Sequence, residues 1–166
     1  MNGGNKQSFV ARFGAVYEHS PWVAEEVFDE YTDTSALGTK VLADQFETIF
    51  MNASQEQQLA VLRAHPALAC AQAEQNLLSA DSRSEQTGAG LDQCSEREFM
   101  LFQEMNAMYF GKNGFPFIIA VKGRDRQQIL VAFRDRLNNV YATEFQTALT
   151  QVCQIARFRI GDILGD

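Results

Sequence analysis

Phe115-Pro116-Phe117-Ile118-Ile119-Ala120-Val121 is the stretch that decides the fold. It is short, apolar and interrupted by proline, so it reads as a buried strand or a buried extended segment. The chain offers it no partner strand. A lone strand has no ladder to join and cannot make a sheet. The segments on either side carry helical spacing. The expectation is an all-α fold, a bundle of about seven or eight helices with one short extended buried segment.

Working outward, Ser95-Glu96-Arg97-Glu98 is a capping box upstream of the run. It opens a helix carrying Phe99, Leu101, Phe102, Met105, Met108 and Tyr109, which Gly111 to Gly114 ends. Downstream, helices are expected over about 126–137 and 143–163, joined by a turn at Asn138-Asn139. Towards the N-terminus, helical spacing covers Ser8 to Tyr17, and Ser20-Pro21 starts a second helix, Ser20 capping it. A third runs from Ala36 to Met51, and Ser54 caps a fourth that ends near Arg63. Pro66 opens a fifth through Leu68, Ala69, Ala73, Leu77 and Leu78. Asp81 to Gly90 reads as a loop or a short helical turn. Residues 1–7 are polar and are expected to fray; with no linker dividing the chain, residues 1–166 are expected to form a single domain.

The 166 residues are 46% hydrophobic, which suits a globular core and excludes a disordered chain. Lys plus Arg is 14 and Asp plus Glu is 21, a net charge of −7 that offers no general field for nucleic acid. No stretch approaches the ~18–20 apolar residues of a membrane span, and no apolar signal region opens the chain. Histidine occurs only at 19 and 65, and cysteine only at 70, 94 and 153, with no C-x-x-C. That inventory argues against a zinc site and against a disulfide framework, and suits a cytoplasmic protein.

Three segments can carry chemistry. His65 precedes Pro66, which places it at the expected start of the fifth helix, where free N–H groups accept anions and favour a neutral ring. The competing structural reading makes His65 a cap or a surface residue. Ser82-Arg83-Ser84-Glu85-Gln86 gathers hydroxyls, a guanidinium, a carboxylate and an amide before Gly88 and Gly90. Such a set can bond a small polar ligand from several directions; structurally, Ser82 and Glu85 make a capping box. Phe115 to Val121 is core by composition, yet its backbone can pair with an imide or urea. Trp22 reads as a core or interface anchor, and Cys70 as a small buried hydrophobe.

Several pieces recur together in order. They are Phe13-Gly14, Glu18-His19-Ser20-Pro21-Trp22-Val23-Ala24, His65-Pro66-Ala67-Leu68-Ala69, and Ser82-x-x-Glu85-Gln86 with Ala89-Gly90-Leu91. Then come Phe102-x-x-Met105-Asn106-x-x-Tyr109, Lys112-x-Gly114-Phe115-Pro116-Phe117-Ile118-Ile119, and Arg157-x-Arg159-Ile160-x-Asp162-Ile163-Leu164. This set resembles the OHCU decarboxylases, which act on 2-oxo-4-hydroxy-4-carboxy-5-ureidoimidazoline in urate degradation. The resemblance implies an all-α fold, usually a homodimer, no cofactor and no metal, and (S)-allantoin as the product. It implies that His65 is the catalytic histidine, moving protons as CO2 leaves. Glu85 is expected to orient the substrate or to hold the useful tautomer of His65. The positions matching substrate contacts are Pro66, Ser82, Arg83, Ser84, Gln86, Phe117, Ile118, Ile119, Ala120 and Val121.

Two departures stand out. Ala67 replaces an Asp frequent in the family, and Lys122 stands where Arg is frequent. Lys122 keeps the charge without the bidentate fork, and remains a substrate-binding candidate. Two other functions compete: a non-catalytic helical interaction module, and a hydrolase of a related ureide. A pocket joining His65, Glu85 and Phe117 separates an enzyme from the module, and CO2 release separates the two enzymes.

Overall fold

The computed structural model describes residues 3–31, 38–68 and 77–166, with side chains from residue 6 onward. Eight α-helices make up the described residues: α1 Gly3–Phe13, α2 Trp22–Glu30, α3 Thr39–Asn52, α4 Gln55–Ala64, α5 Ala80–Gly88, α6 Glu96–Asn113, α7 Arg126–Leu137 and α8 Tyr141–Leu164. A 3-10 turn, Leu91–Gln93, separates α5 from α6. The described residues contain no strand, so the all-α expectation holds. Phe115 to Val121 runs without regular structure and is buried throughout. No helix is long and apolar enough to cross a membrane among the described residues.

The residues fall into two compact units. The first joins residues 1–64 to 152–166. Its core is aromatic: Phe9, Phe13, Tyr17, Phe46 and Phe50 are buried, and Tyr17 stacks on Phe46 with ring centres 6.3 Å apart. Burying each such side chain contributes on the order of 1.5–3 kcal/mol. The C-terminal part of α8 is tied into this unit by charge. Arg159 bonds Glu18 at 3.0 Å, both nearly inaccessible, and Arg157 bonds Glu47 at 2.6 Å.

The second unit is the continuous stretch 65–151. Phe102, Tyr109, Phe115, Phe117, Phe133 and Ile129 fill its interior. Phe117 stacks almost parallel on Phe133, with ring centres 3.8 Å apart. Tyr109 meets Phe117 edge-on at 5.3 Å, an arrangement that the ring quadrupoles favour.

The capping signals resolve as follows. Ser95 and Glu98 form the expected reciprocal box, and Gly114 ends α6 in the left-handed conformation at φ 72°. Ser54 caps α4, with Gln57 returning a bond to its N–H. Asp125 and Gln128 make a further capping box at α7. Ser20 does not cap α2: its hydroxyl donates to the Glu18 carbonyl at 2.8 Å, and Pro21 stands at the cap position. The first helix ends at Phe13 rather than Tyr17. Asp81 to Gly88 is a full helix, capped by Ser79, whose Oγ accepts from the Ser82 N–H at 3.2 Å. Pro66 to Leu68 is not helical, nor are Leu77 and Leu78 at the expected end of the fifth helix; residues 69–76 between them, with Cys70 and Ala73, lie outside the described residues.

Candidate functional site

His65 is the first residue of the second unit and follows directly on α4. It is buried, at 7% exposure, on a chain where most polar side chains face water. It follows the carbonyl end of α4, and Pro66, where a helix start was expected, is not helical. The backbone that follows it is held from two sides. Gln86 Nε2 donates to the Ala67 carbonyl at 3.1 Å, and Asn106 Nδ2 donates to the Leu68 carbonyl at 2.9 Å. Two amides from two helices, α5 and α6, therefore hold consecutive carbonyls just past His65-Pro66.

Helical spacing on α5 sorts the second candidate segment. Ser82, Gln86 and Ala89 are buried, and Glu85 is half-buried beside them. Positions 82, 85/86 and 89 repeat at i, i+3/4 and i+7, so they share one face. Arg83 and Ser84 are exposed, and Arg83 Nη2 reaches the Leu78 carbonyl at 3.4 Å. The helix thus brings Ser82, Glu85 and Gln86 to the inner side and leaves Arg83 and Ser84 off it. Lys122 is exposed at the turn that follows Val121.

Phe117, Ile118, Ile119, Ala120 and Val121 are each at most 6% exposed. Several of their backbone groups already have protein partners. The Ile118 carbonyl accepts from Arg136 Nη1 at 2.6 Å, the Ala120 N–H donates to Gln151 Oε1 at 2.9 Å, and the Val121 carbonyl accepts from the Arg124 N–H at 2.9 Å. Any reading of a ligand by this segment falls to its other backbone groups.

A buried polar network holds the segment in place, and the sequence reading missed it. Glu144 is fully buried and pairs with Arg136 at 2.9 Å. It also accepts from Asn139 at 2.8 Å and from the Tyr109 hydroxyl. Burial pushes the Glu144 carboxyl up, but bonds from Arg136, Tyr109 and Asn139 outweigh it and hold the group below the usual carboxylate range. The Tyr109 phenol moves the other way, raised by burial and by its bond to Glu144. Lys112 Nζ closes the end of α7 by donating to the carbonyls of Leu137 at 2.8 Å and Asn139 at 2.6 Å. In sequence, Arg134-Asp135-Arg136 looks like a solvated charge run, and only the buried Glu144 distinguishes Arg136 from its neighbours.

Among the described residues, no group of three or more His, Cys, Asp or Glu is placed to hold a metal ion. A cavity of about 640 Å³ lies against α6 and α7, lined by Glu96, Arg97, Met100, Leu101, Glu104 and Arg134, and includes none of the candidate residues.

Against known proteins, the family model described as OHCU decarboxylase matches residues 2–161. The 2-oxo-4-hydroxy-4-carboxy-5-ureidoimidazoline decarboxylase of Halalkalicoccus jeotgali is 39% identical over 163 residues, covering 98% of this chain and 89% of that one. The uric acid degradation bifunctional protein of Bacillus subtilis is 36% identical, covering 99% of this chain but only 32% of its own length. Among solved structures, the crystal structure of (S)-allantoin synthase superposes with a TM-score of 0.75 at 27% identity, covering 95% of this chain and 50% of that one.

Proposed function

Because the chain belongs to the OHCU decarboxylase family, we propose that it removes CO2 from 2-oxo-4-hydroxy-4-carboxy-5-ureidoimidazoline and yields (S)-allantoin in urate degradation. The observation that carries the reading is the match over residues 2–161, which includes the buried His65 and the face of α5 that holds Ser82, Glu85 and Gln86.

The chemistry balances without a cofactor. The bond between ring carbon 4 and its carboxylate breaks, and CO2 leaves. The electron pair forms a double bond between carbons 4 and 5, and the ring C=N electrons move onto nitrogen, which takes a proton. The carbon-4 hydroxyl then gives up its proton and becomes a carbonyl as carbon 5 gains a proton on one face. His65 takes the hydroxyl proton and delivers one to carbon 5, a task suited to imidazole. Glu85 orients the substrate by accepting from its N–H groups. Ser82, Gln86, Pro66 and the backbone of Phe117 to Val121 shape the pocket, and its apolar side chains exclude water.

The substrate is an anion and the chain carries a charge of −7, so its attraction is local. Arg83, Lys122 and backbone N–H groups are the proposed sources, with Ser84 at the pocket rim. A homodimer is part of the same proposal, as is a cytoplasmic setting.

A coupled assay tests the reading. Urate oxidase and hydroxyisourate hydrolase generate the substrate from urate, and circular dichroism follows the product. The expected result is rapid formation of one allantoin enantiomer with release of CO2. A slow racemic decay equal to the protein-free control rejects the decarboxylase, and consumption of the substrate without CO2 points to a hydrolase.

A further inference from the structure

We propose that Asn106, on α6, is a positioning residue for His65, acting through the backbone of Ala67 and Leu68. The inference deepens the proposed function and rests on His65 being the proton-moving group. Gln86 and Asn106 bond consecutive carbonyls, at 3.1 Å and 2.9 Å, from two different helices. One such bond leaves a pivot, whereas two fix the direction of a short segment. On the other side, His65 follows the end of α4, and Pro66 has its φ locked by its ring. The two bonds thus fix the direction of Ala67 and Leu68, and the locked ring of Pro66 passes that restraint on to His65. Leu68 is itself buried, at 6% exposure, so its carbonyl has little access to water as a substitute partner.

The amide is an odd choice for stability alone. Asn106 Oδ1 is buried and has no hydrogen-bond partner among the described residues. An unsatisfied buried acceptor lowers stability, and a leucine there would avoid it. What the amide supplies and leucine lacks is the donor to Leu68. Misplacing a reacting group by about 1 Å can cost on the order of 10²-fold in rate, so the effect belongs in kcat.

The chain's two histidines give a direct readout. In protein labelled with ¹⁵N-histidine, the exposed His19, in the other compact unit, serves as the internal reference. In Asn106→Ala, the His65 ring signals are expected to move while those of His19 stay. kcat is expected to fall about tenfold to hundredfold, with KM much less affected. Asn106→Asp, nearly the same size but unable to donate to Leu68, is expected to do the same and carries the test if the alanine variant does not fold. Asn113→Ala is the control: it removes a buried amide from the same helix, one that bonds back to the Tyr109 carbonyl at 3.1 Å. It is expected to leave both the His65 signals and kcat unchanged. Unmoved His65 signals in folded Asn106 variants, or an equal shift in Asn113→Ala, overturns the proposal. Full turnover in His65→Ala instead rejects the catalytic role of His65, a separate result that leaves the ring-signal comparison to judge the coupling.

Discussion

The guanidinium of Arg136 lies 4.4 Å from the centre of the Phe117 ring, and its Nη1 bonds the very next carbonyl, that of Ile118, at 2.6 Å. One side chain therefore covers the ring and fixes the backbone of the extended buried segment. Its remaining nitrogens neutralise Glu144.

Removing Arg136 should unfasten all three. Arg136→Met leaves Glu144, with no exposed surface, as an uncompensated charge, and such losses cost about 3–5 kcal/mol. Arg136→Lys restores the charge but not the fork, so its loss should be intermediate. Urea unfolding monitored by far-UV circular dichroism measures both. A loss under about 1 kcal/mol for the methionine variant, the range of an exposed pair, contradicts a desolvated one.

The same network predicts the shape of the pH–stability curve. Glu144 sits below its unfolded value, about 4.3. Its contribution is therefore complete above that value and lost as pH falls through the lower folded pKa. Tyr109 is raised above its unfolded value of about 10, so its contribution is present below that pH and lost as pH climbs towards the folded pKa. Glu144→Gln should flatten the acid limb of the urea midpoint against pH, and Tyr109→Phe the alkaline limb. Unaltered limbs count against the assignment.

His65→Ala should lower kcat by about 10²–10⁴-fold if the ring is the acid and base, while far-UV circular dichroism stays native. Glu85→Gln should reduce kcat and raise KM together, because the carboxylate orients the bound substrate. A Glu85 variant altered only in thermal stability assigns that residue to its helix rather than to the ligand.

Gly14 offers a test away from the site. A Cβ there meets the Val10 carbonyl at 2.5 Å and a Val10 methyl at 3.3 Å. Gly14→Ala must move backbone, and overpacking of this kind costs about 1–3 kcal/mol. A melting temperature equal to that of the unsubstituted protein says the turn after α1 relaxes freely.

How much was legible in the sequence divides along physical lines. Caps that use adjacent residues were readable: Ser95 with Glu98, and Ser54 before α4, act within one turn. Where two local partners compete, the reading failed. Ser20 bonds the Glu18 carbonyl instead of capping α2, and Ser79 rather than Ser82 caps α5. The shift of the cap to Ser79 starts the helix earlier and puts Ser82 and Gln86 on its buried side. The segments of the candidate site were visible as motifs. The residues that brace them were not, because Asn106 to Leu68 spans 38 residues and Arg136 to Ile118 spans 18. Tertiary bonds of that reach leave no trace in local spacing.

Helix α8 is shared: its residues through Gln151 belong to the second unit, and those from Val152 onward to the first. On a ribosome this sets an order of events. Residues 65–151 are contiguous and can close their core as soon as they emerge. Residues 1–64 must wait for the strap from Val152 to Asp166, which brings Arg157 and Arg159 to their acidic partners. At a synthesis rate of about 5–20 residues per second that wait is roughly 5–20 s. Over that interval Phe9, Phe13, Phe46 and the buried Glu18 lack their closing helix. The unit whose larger part is synthesised earlier is therefore completed after the other.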